Sequence, residues 1–191
     1  VYSTEELEVV YGDETFTVDI PKDYDMMRSL KIGYPFRTAL LIESDYATER
    51  IAEFLSERLE GESDRWKAYQ VSRFVCQNVT YQEDFIDYWK LPWETLRDGC
   101  GDCEDMTILG LSILRNMGVE SCLATELNHA LAAISDEDGY TYIEMTYVAS
   151  VWGVEAHPYV VLPSGWNIYA VMMLVFYVVL LVVMMDTLRR K

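Results

Sequence analysis

The stretch Leu96-Arg-Asp-Gly-Cys-Gly-Asp-Cys-Glu-Asp-Met106 gathers two thiols, four carboxylates and two glycines in front of an apolar run. Cys103 falls at the predicted start of a helix over Cys103 to about Met117. Free N–H groups and the macrodipole there favour a thiolate over a thiol. A thiolate nucleophile also needs a base, and the base needs an orienting group. His129 opens one strand-like run, and Glu144 lies in the next, across the turn residues Asp136 to Gly139. Paired strands bring side chains together when register allows. The spacing therefore predicts a Cys103–His129–Glu144 constellation, with nucleophile on a helix and base and carboxylate on a sheet. Asp102 is expected to cap the helix start, and Asp105 to favour its first turn and bond the adjacent loop.

Other chemistries compete for the same residues. Cys100-x-x-Cys103 has redox spacing, but a thioredoxin-type motif follows a strand, and here a Pro/Gly/Asp-rich loop precedes it. Cys76, Cys100, Cys103, Cys122, His129 and His157 could supply zinc ligands, yet the second pair lacks the usual short spacing. Cys100 could form a disulfide with Cys76 or Cys122. Cys76 and Cys122 otherwise read as small buried hydrophobes.

The run Pro92-x-Glu-Thr-Leu96, then Gly101-Asp-Cys-Glu-Asp105, then Leu109 to Gly118, resembles the transglutaminase-like superfamily. Asn128-His-Ala130 is similar to its His-bearing strand, and Tyr142-Ile-Glu-Met-Thr146 to its acid followed by Thr. Phe74 to Tyr81 resembles the segment that precedes the motif. The similarity covers roughly residues 45–160. It implies a papain-like fold and acyl transfer, with Cys103 as nucleophile, His129 as general base and acid, and Glu144 orienting His129. Two positions depart from the pattern: Glu144 stands where Asp is commoner, and Leu131 where many members have Trp. An oxyanion hole would combine the Cys103 N–H with an upstream donor, for which Gln82, Trp89 and Trp93 are candidates. No metal or organic cofactor is required by these steps. Substrates would be proteins, peptides or cell-surface polymers; the alternative is a non-catalytic module binding such ligands in the same cleft.

The elements that must position these residues form an α+β plan, a central helix on an antiparallel sheet. Residues 7–20 alternate on both sides of Gly12-Asp13 and predict a β-hairpin closed by Pro21. Ala39 to Ile42 could form a strand. Residues 47–60 carry Ile51, Phe54, Leu55 and Leu59 at helical spacing, ended by Gly61. A second helix is predicted from Asp64 to about Asn78, and a short helical turn after Pro92. The central helix is apolar nearly all round and ends at Gly118. Strands are predicted over Val119–Glu126, His129–Ile134 and Tyr140–Tyr147, and a connector over Val151–Pro163. The division is a hairpin and lead-in (1–46), a catalytic domain (47–163), a membrane span (166–185) and a basic tail (186–191).

The chain of 191 residues carries 15 basic and 32 acidic residues, net −17. That balance excludes general nucleic-acid binding, which needs Lys and Arg against phosphates. It reads as a solvated acidic surface. Trp166 to Met185 has no charged residue, and as a helix it would span about 30 Å, a bilayer core. Trp166 and Tyr169 suit an interfacial aromatic belt, and Arg189, Arg190 and Lys191 place that end in the cytoplasm. The acidic domain is then expected outside the cytoplasmic membrane. The chain opens on Val1 without a signal-like stretch, which leaves a removed signal or an upstream part.

Overall fold

The computed structural model describes residues 3–22, 45–83, 89–136, 139–148, 152–156, 158 and 160–162. Strands β1 (Thr4–Tyr11) and β2 (Glu14–Pro21) form the expected hairpin. Its tight turn is possible because Gly12 takes a left-handed φ of 61°. Val9, Val18 and Ile20 point into the core, while Phe16 stacks on Phe54 of α1 (Tyr46–Arg58) at 3.8 Å between ring centroids. Asp45 and Thr48 form a capping box at the start of α1.

Helix α2 (Asp64–Asn78) holds the hairpin by the side chains of Gln70, Gln77 and Asn78. Asn78 accepts from the Val10 N–H at 2.7 Å and donates to the Val10 carbonyl at 2.7 Å, so its amide completes a strand edge. The chain then makes β3 (Thr80–Tyr81), the short α3 (Pro92–Asp98) and β4 (Cys100–Gly101). β3 and β4 pair in parallel, Thr80 against Cys100 and Tyr81 against Gly101.

α4 (Cys103–Asn116) is the centre of the fold. Every residue from Glu104 to Leu114 is buried, as an all-round apolar helix requires. It packs against α1, α2 and α3 on one side and the sheet on the other. Gly118, at φ 77°, turns the chain into β5 (Ser121–Glu126). The antiparallel sheet has the order β7-β6-β5-β8, with β6 (His129–Asp136), β7 (Gly139–Ile143) and β8 (Val160–Leu162). Ala130, Ala132 and Ile134 of β6 join the core around α4, while Leu131 and Ala133 join a smaller cluster with Cys122 and Ala124. This is the period-two alternation of a strand covered on both faces.

Two expectations change. The third predicted strand stops at Ile143 and not Tyr147, because Glu144 turns the following N–H groups onto its own carboxylate. The predicted connector Val151–Pro163 contains β8, whose residues pair with Leu123, Ala124 and Thr125 at the open edge of β5. Among the described residues, no helix is long and apolar enough to cross a membrane. The Trp166–Met185 segment, the basic tail, the Ala39–Ile42 run and His157 lie outside the described residues.

Candidate active site

Glu144 sits one residue past β7, wedged between α2 and α4. Its carbonyl accepts from the buried Ser72 hydroxyl at 2.6 Å, and the next carbonyl, of Met145, accepts from the Cys76 thiol at 3.4 Å. Met145 lies against Gly110 of α4, where an added Cβ would fall 2.7 Å from its sulfur. Glu144 as a residue is 2% exposed. Glu144 Oε1 accepts from the Met145 N–H at 3.0 Å, the Thr146 N–H at 2.9 Å and the Thr146 hydroxyl at 2.8 Å. Oε2 is left for His129 Nε2, at 2.6 Å. Burial alone would raise this carboxyl, but the bonds from His129 and Thr146 outweigh it and hold it below its usual range.

A carboxylate can only accept, so Nε2 of a neutral His129 carries the proton and Nδ1 is the basic nitrogen. The bond from Glu144 raises the His129 pKa against partial burial. β6 docks on α4 beside this ring. The Thr107 hydroxyl donates to the Ala130 carbonyl at 3.2 Å, and the Ala130 N–H is directed at Cys103. Thr107 and Cys103 are four residues apart on one helix face, so a single strand residue engages both.

Cys103 and His129 line one cavity of about 470 Å³, together with Tyr81, Glu83, Trp89 and Glu126. The thiol differs from the thiolate that a helix start favours. Cys103 Sγ donates to Glu104 Oε2 at 3.2 Å. Burial, and then Glu104, push this thiol up to about 12, against the Ala130 N–H. The helix terminus is outweighed because the partly buried sulfur faces carboxylates. Glu104 is itself pushed up to about 8, by burial and by its bond with Asp102. Asp102 occupies the N-cap position, yet its side chain makes no capping bond, being directed toward Glu104. All four cysteines are free thiols, so no disulfide ties up Cys103.

Asp105 bonds the neighbouring loop through a buried ion pair. Its Oδ1 accepts from the Lys90 N–H at 2.6 Å, and its Oδ2 lies 3.1 Å from Lys90 Nζ. Lys90 Nζ also donates to the Cys100 carbonyl at 3.2 Å. Burial raises the Asp105 carboxyl to about 7, against the pull of Lys90. Gly101 permits the close approach, since a Cβ there would fall 2.7 Å from that of Asp105. This lock fixes the residue after Trp89, and with it the cavity wall.

Of the three oxyanion candidates, Trp89 lines the cavity and Gln82 and Trp93 do not. Trp93 is 4% exposed within the main core, and Gln82 is exposed, its N–H donated to the Gly101 carbonyl at 2.9 Å. Residues outside the sequence-based set are Glu104, Lys90, Ser72 and Thr146. Only Thr146 had a sequence signal, as the Thr that follows the acid. Among the described residues, no group of three or more His, Cys, Asp or Glu side chains is arranged to hold a metal ion.

A central helix with a cysteine at its N-terminus, facing a sheet that presents His beside a carboxylate just past the strand end, defines the class. The transglutaminase-like superfamily pattern matches residues 53–168, more than half of the chain, and the chain belongs to that superfamily. Among solved structures it is similar to LapG of Legionella pneumophila at 23% identity and a TM-score of 0.43, over 59% of this chain and 73% of that one. A cysteine-protease candidate from Cytophaga hutchinsonii is similar at 13% identity and a TM-score of 0.42, over 78% of this chain and 63% of that one. A protease candidate from Parabacteroides distasonis shares 14% identity at a TM-score of 0.44, over 73% of this chain and 35% of that one. No curated protein matches the chain.

Proposed function

We propose that the chain is a membrane-tethered, extracytoplasmic cysteine enzyme that cleaves amide or peptide bonds in proteins, peptides or cell-surface polymers. Cys103 is the nucleophile, His129 the general base and acid, and Glu144 the carboxylate that orients it. The observation that carries this reading is the 2.6 Å bond from His129 Nε2 to Glu144, with His129 and Cys103 on one cavity. The Trp166–Met185 stretch and its basic flank support the tether.

In the reaction Cys103 turns from Glu104 to His129 Nδ1, which takes the thiol proton. The sulfur attacks the carbonyl carbon and a tetrahedral oxyanion forms. The C–N bond breaks as His129 returns the proton to the leaving amine, and a thioester remains. Water, deprotonated by His129, attacks the thioester; the C–S bond breaks and the thiol is restored. Hydrolysis is favoured over transamidation because an open cavity meets water at about 55 M.

The test compares the parent with Cys103→Ala on a fluorogenic peptide library, with hydroxylamine added to trap the thioester as a hydroxamate. Activity and hydroxamate are expected in the parent and absent from Cys103→Ala; equal activity in both overturns the mechanism. The thiol held by Glu104 favours a second reading, a non-catalytic module that binds peptide or polymer in the same cavity. An unreactive Cys103 with intact ligand binding would select it.

A further inference from the structure

The cavity that holds Cys103 and His129 has one sign of charge. Its described lining includes the carboxyl groups of Glu83, Asp102, Glu104 and Glu126 and no Lys or Arg. Tyr81 and Trp89 supply aromatic wall: Tyr81 is 47% exposed at the end of β3, and Trp89 is half-buried beside the Lys90–Asp105 lock. Tyr81, Glu83, Asp102, Cys103 and Glu104 all line this one cavity. Asp102 and Glu104 are engaged with each other and with Cys103. Glu83 differs, because its side chain is exposed at the rim.

We propose that this rim is the specificity subsite of the enzyme and that it selects substrates with an Arg or Lys side chain next to the scissile bond, read by Glu83 between Tyr81 and Trp89. The inference rests on the cysteine-enzyme reading above and names its substrate class. A long basic side chain suits such a wall. Its methylene stem lies along aromatic faces, its cationic head is attracted to the ring quadrupole, and the head reaches a carboxylate at the water boundary. The same carboxylates disfavour acidic segments, so discrimination comes from repulsion as well as attraction. A net charge of −17 extends the preference to the approach, which makes it sensitive to salt.

The experiment uses the full chain and matched tripeptidyl acyloxymethyl ketones that carry Arg, Leu or Glu at each position in turn. Second-order rates of Cys103 labelling are measured at low and at 0.5 M salt. At one position the Arg probe is expected to react at least tenfold faster than the Glu probe, with the ratio shrinking in salt. Glu83→Gln should cut that ratio several-fold, and Glu83→Lys should bring it to one or below. Equal Arg and Glu rates in the parent, or a ratio unchanged in both variants, overturn the subsite and leave the cysteine enzyme standing. No labelling by any probe overturns the enzyme reading, and the subsite with it.

Discussion

His129 Nε2 and Glu144 Oε2 lie 2.6 Å apart, and the other oxygen of that carboxylate is saturated by three donors from Met145 and Thr146. The carboxylate can therefore neither rotate away nor be shared. Its charge raises the His129 pKa, so removing the charge must lower it. In Glu144→Gln, the His129 ring is expected to titrate at a lower pH than in the parent, read by NMR of the imidazole protons. Turnover should fall by roughly tenfold or more, because the amide fixes the tautomer less well, yet by less than in Cys103→Ala. An unmoved His129 titration would refute the coupling.

The bond from Cys103 to Glu104 makes a prediction about the thiol. Glu104→Gln removes the carboxylate that contributes to pushing the sulfur up to about 12. Each unit by which the thiol pKa falls raises the thiolate fraction about tenfold at pH 8. Iodoacetamide should therefore label Cys103 faster in Glu104→Gln than in the parent, and more slowly in His129→Ala. Identical rates across pH 6–10 in Glu104→Gln and the parent would show that Glu104 does not restrain the thiol.

Raised and lowered carboxyls around the site make stability depend on pH in opposite directions. Glu104 and Asp105 are raised to about 8 and about 7. Their neutral forms favour the folded state at low pH, and that stability is lost as pH rises from the ordinary carboxyl range through those values. Glu144 is lowered, so its contribution is present above its ordinary value and lost as pH falls through the folded one. His129 is raised, so its contribution is present below its ordinary value and lost as pH rises through the folded one. The domain is expected to be more stable near pH 5–6 than at pH 8.5 in urea titrations. Glu104→Gln should flatten that decline, and a decline of the same size in the variant would count against the assignment.

Ser72 and Asn78 both lie on α2, but only Ser72 reaches the site. Ser72→Ala leaves the Glu144 carbonyl without the hydroxyl that meets it at 2.6 Å in the core. The expected cost is about 1–3 kcal/mol of unfolding free energy, with a fall in turnover as Glu144 loosens. Asn78→Ala deletes two bonds to Val10 at a comparable cost in stability, with turnover unchanged below the melting range. Equal losses of activity in the two variants would show that α2 does not position the site through Ser72.

The sequence showed the helices and the hairpin well, because apolar periodicity and glycine stops are local signals. Cys103, His129 and Glu144 were legible through their motif spacing. The neighbours that set their chemistry were not. Glu104 follows Cys103 directly, and adjacent helix residues do not share a face, so nothing in the spacing shows its carboxyl folding back onto the sulfur. Lys90 reads as an ordinary loop cation, yet it is 8% exposed and locked to Asp105 fifteen residues on. β8 is three residues long, and its partner lies far back in the chain, so pairing and not local pattern creates it. Trp93 belongs to a face of α3 whose direction only the packing decides.

The anchoring of Glu144 draws on parts of the chain that are far apart in sequence. The acid is held by a hydroxyl from α2, by a thioether seated against α4 and by a turn just beyond β7, elements that are remote in sequence. The contact between His129 and Glu144 is thereby a property of the whole fold and of no single segment.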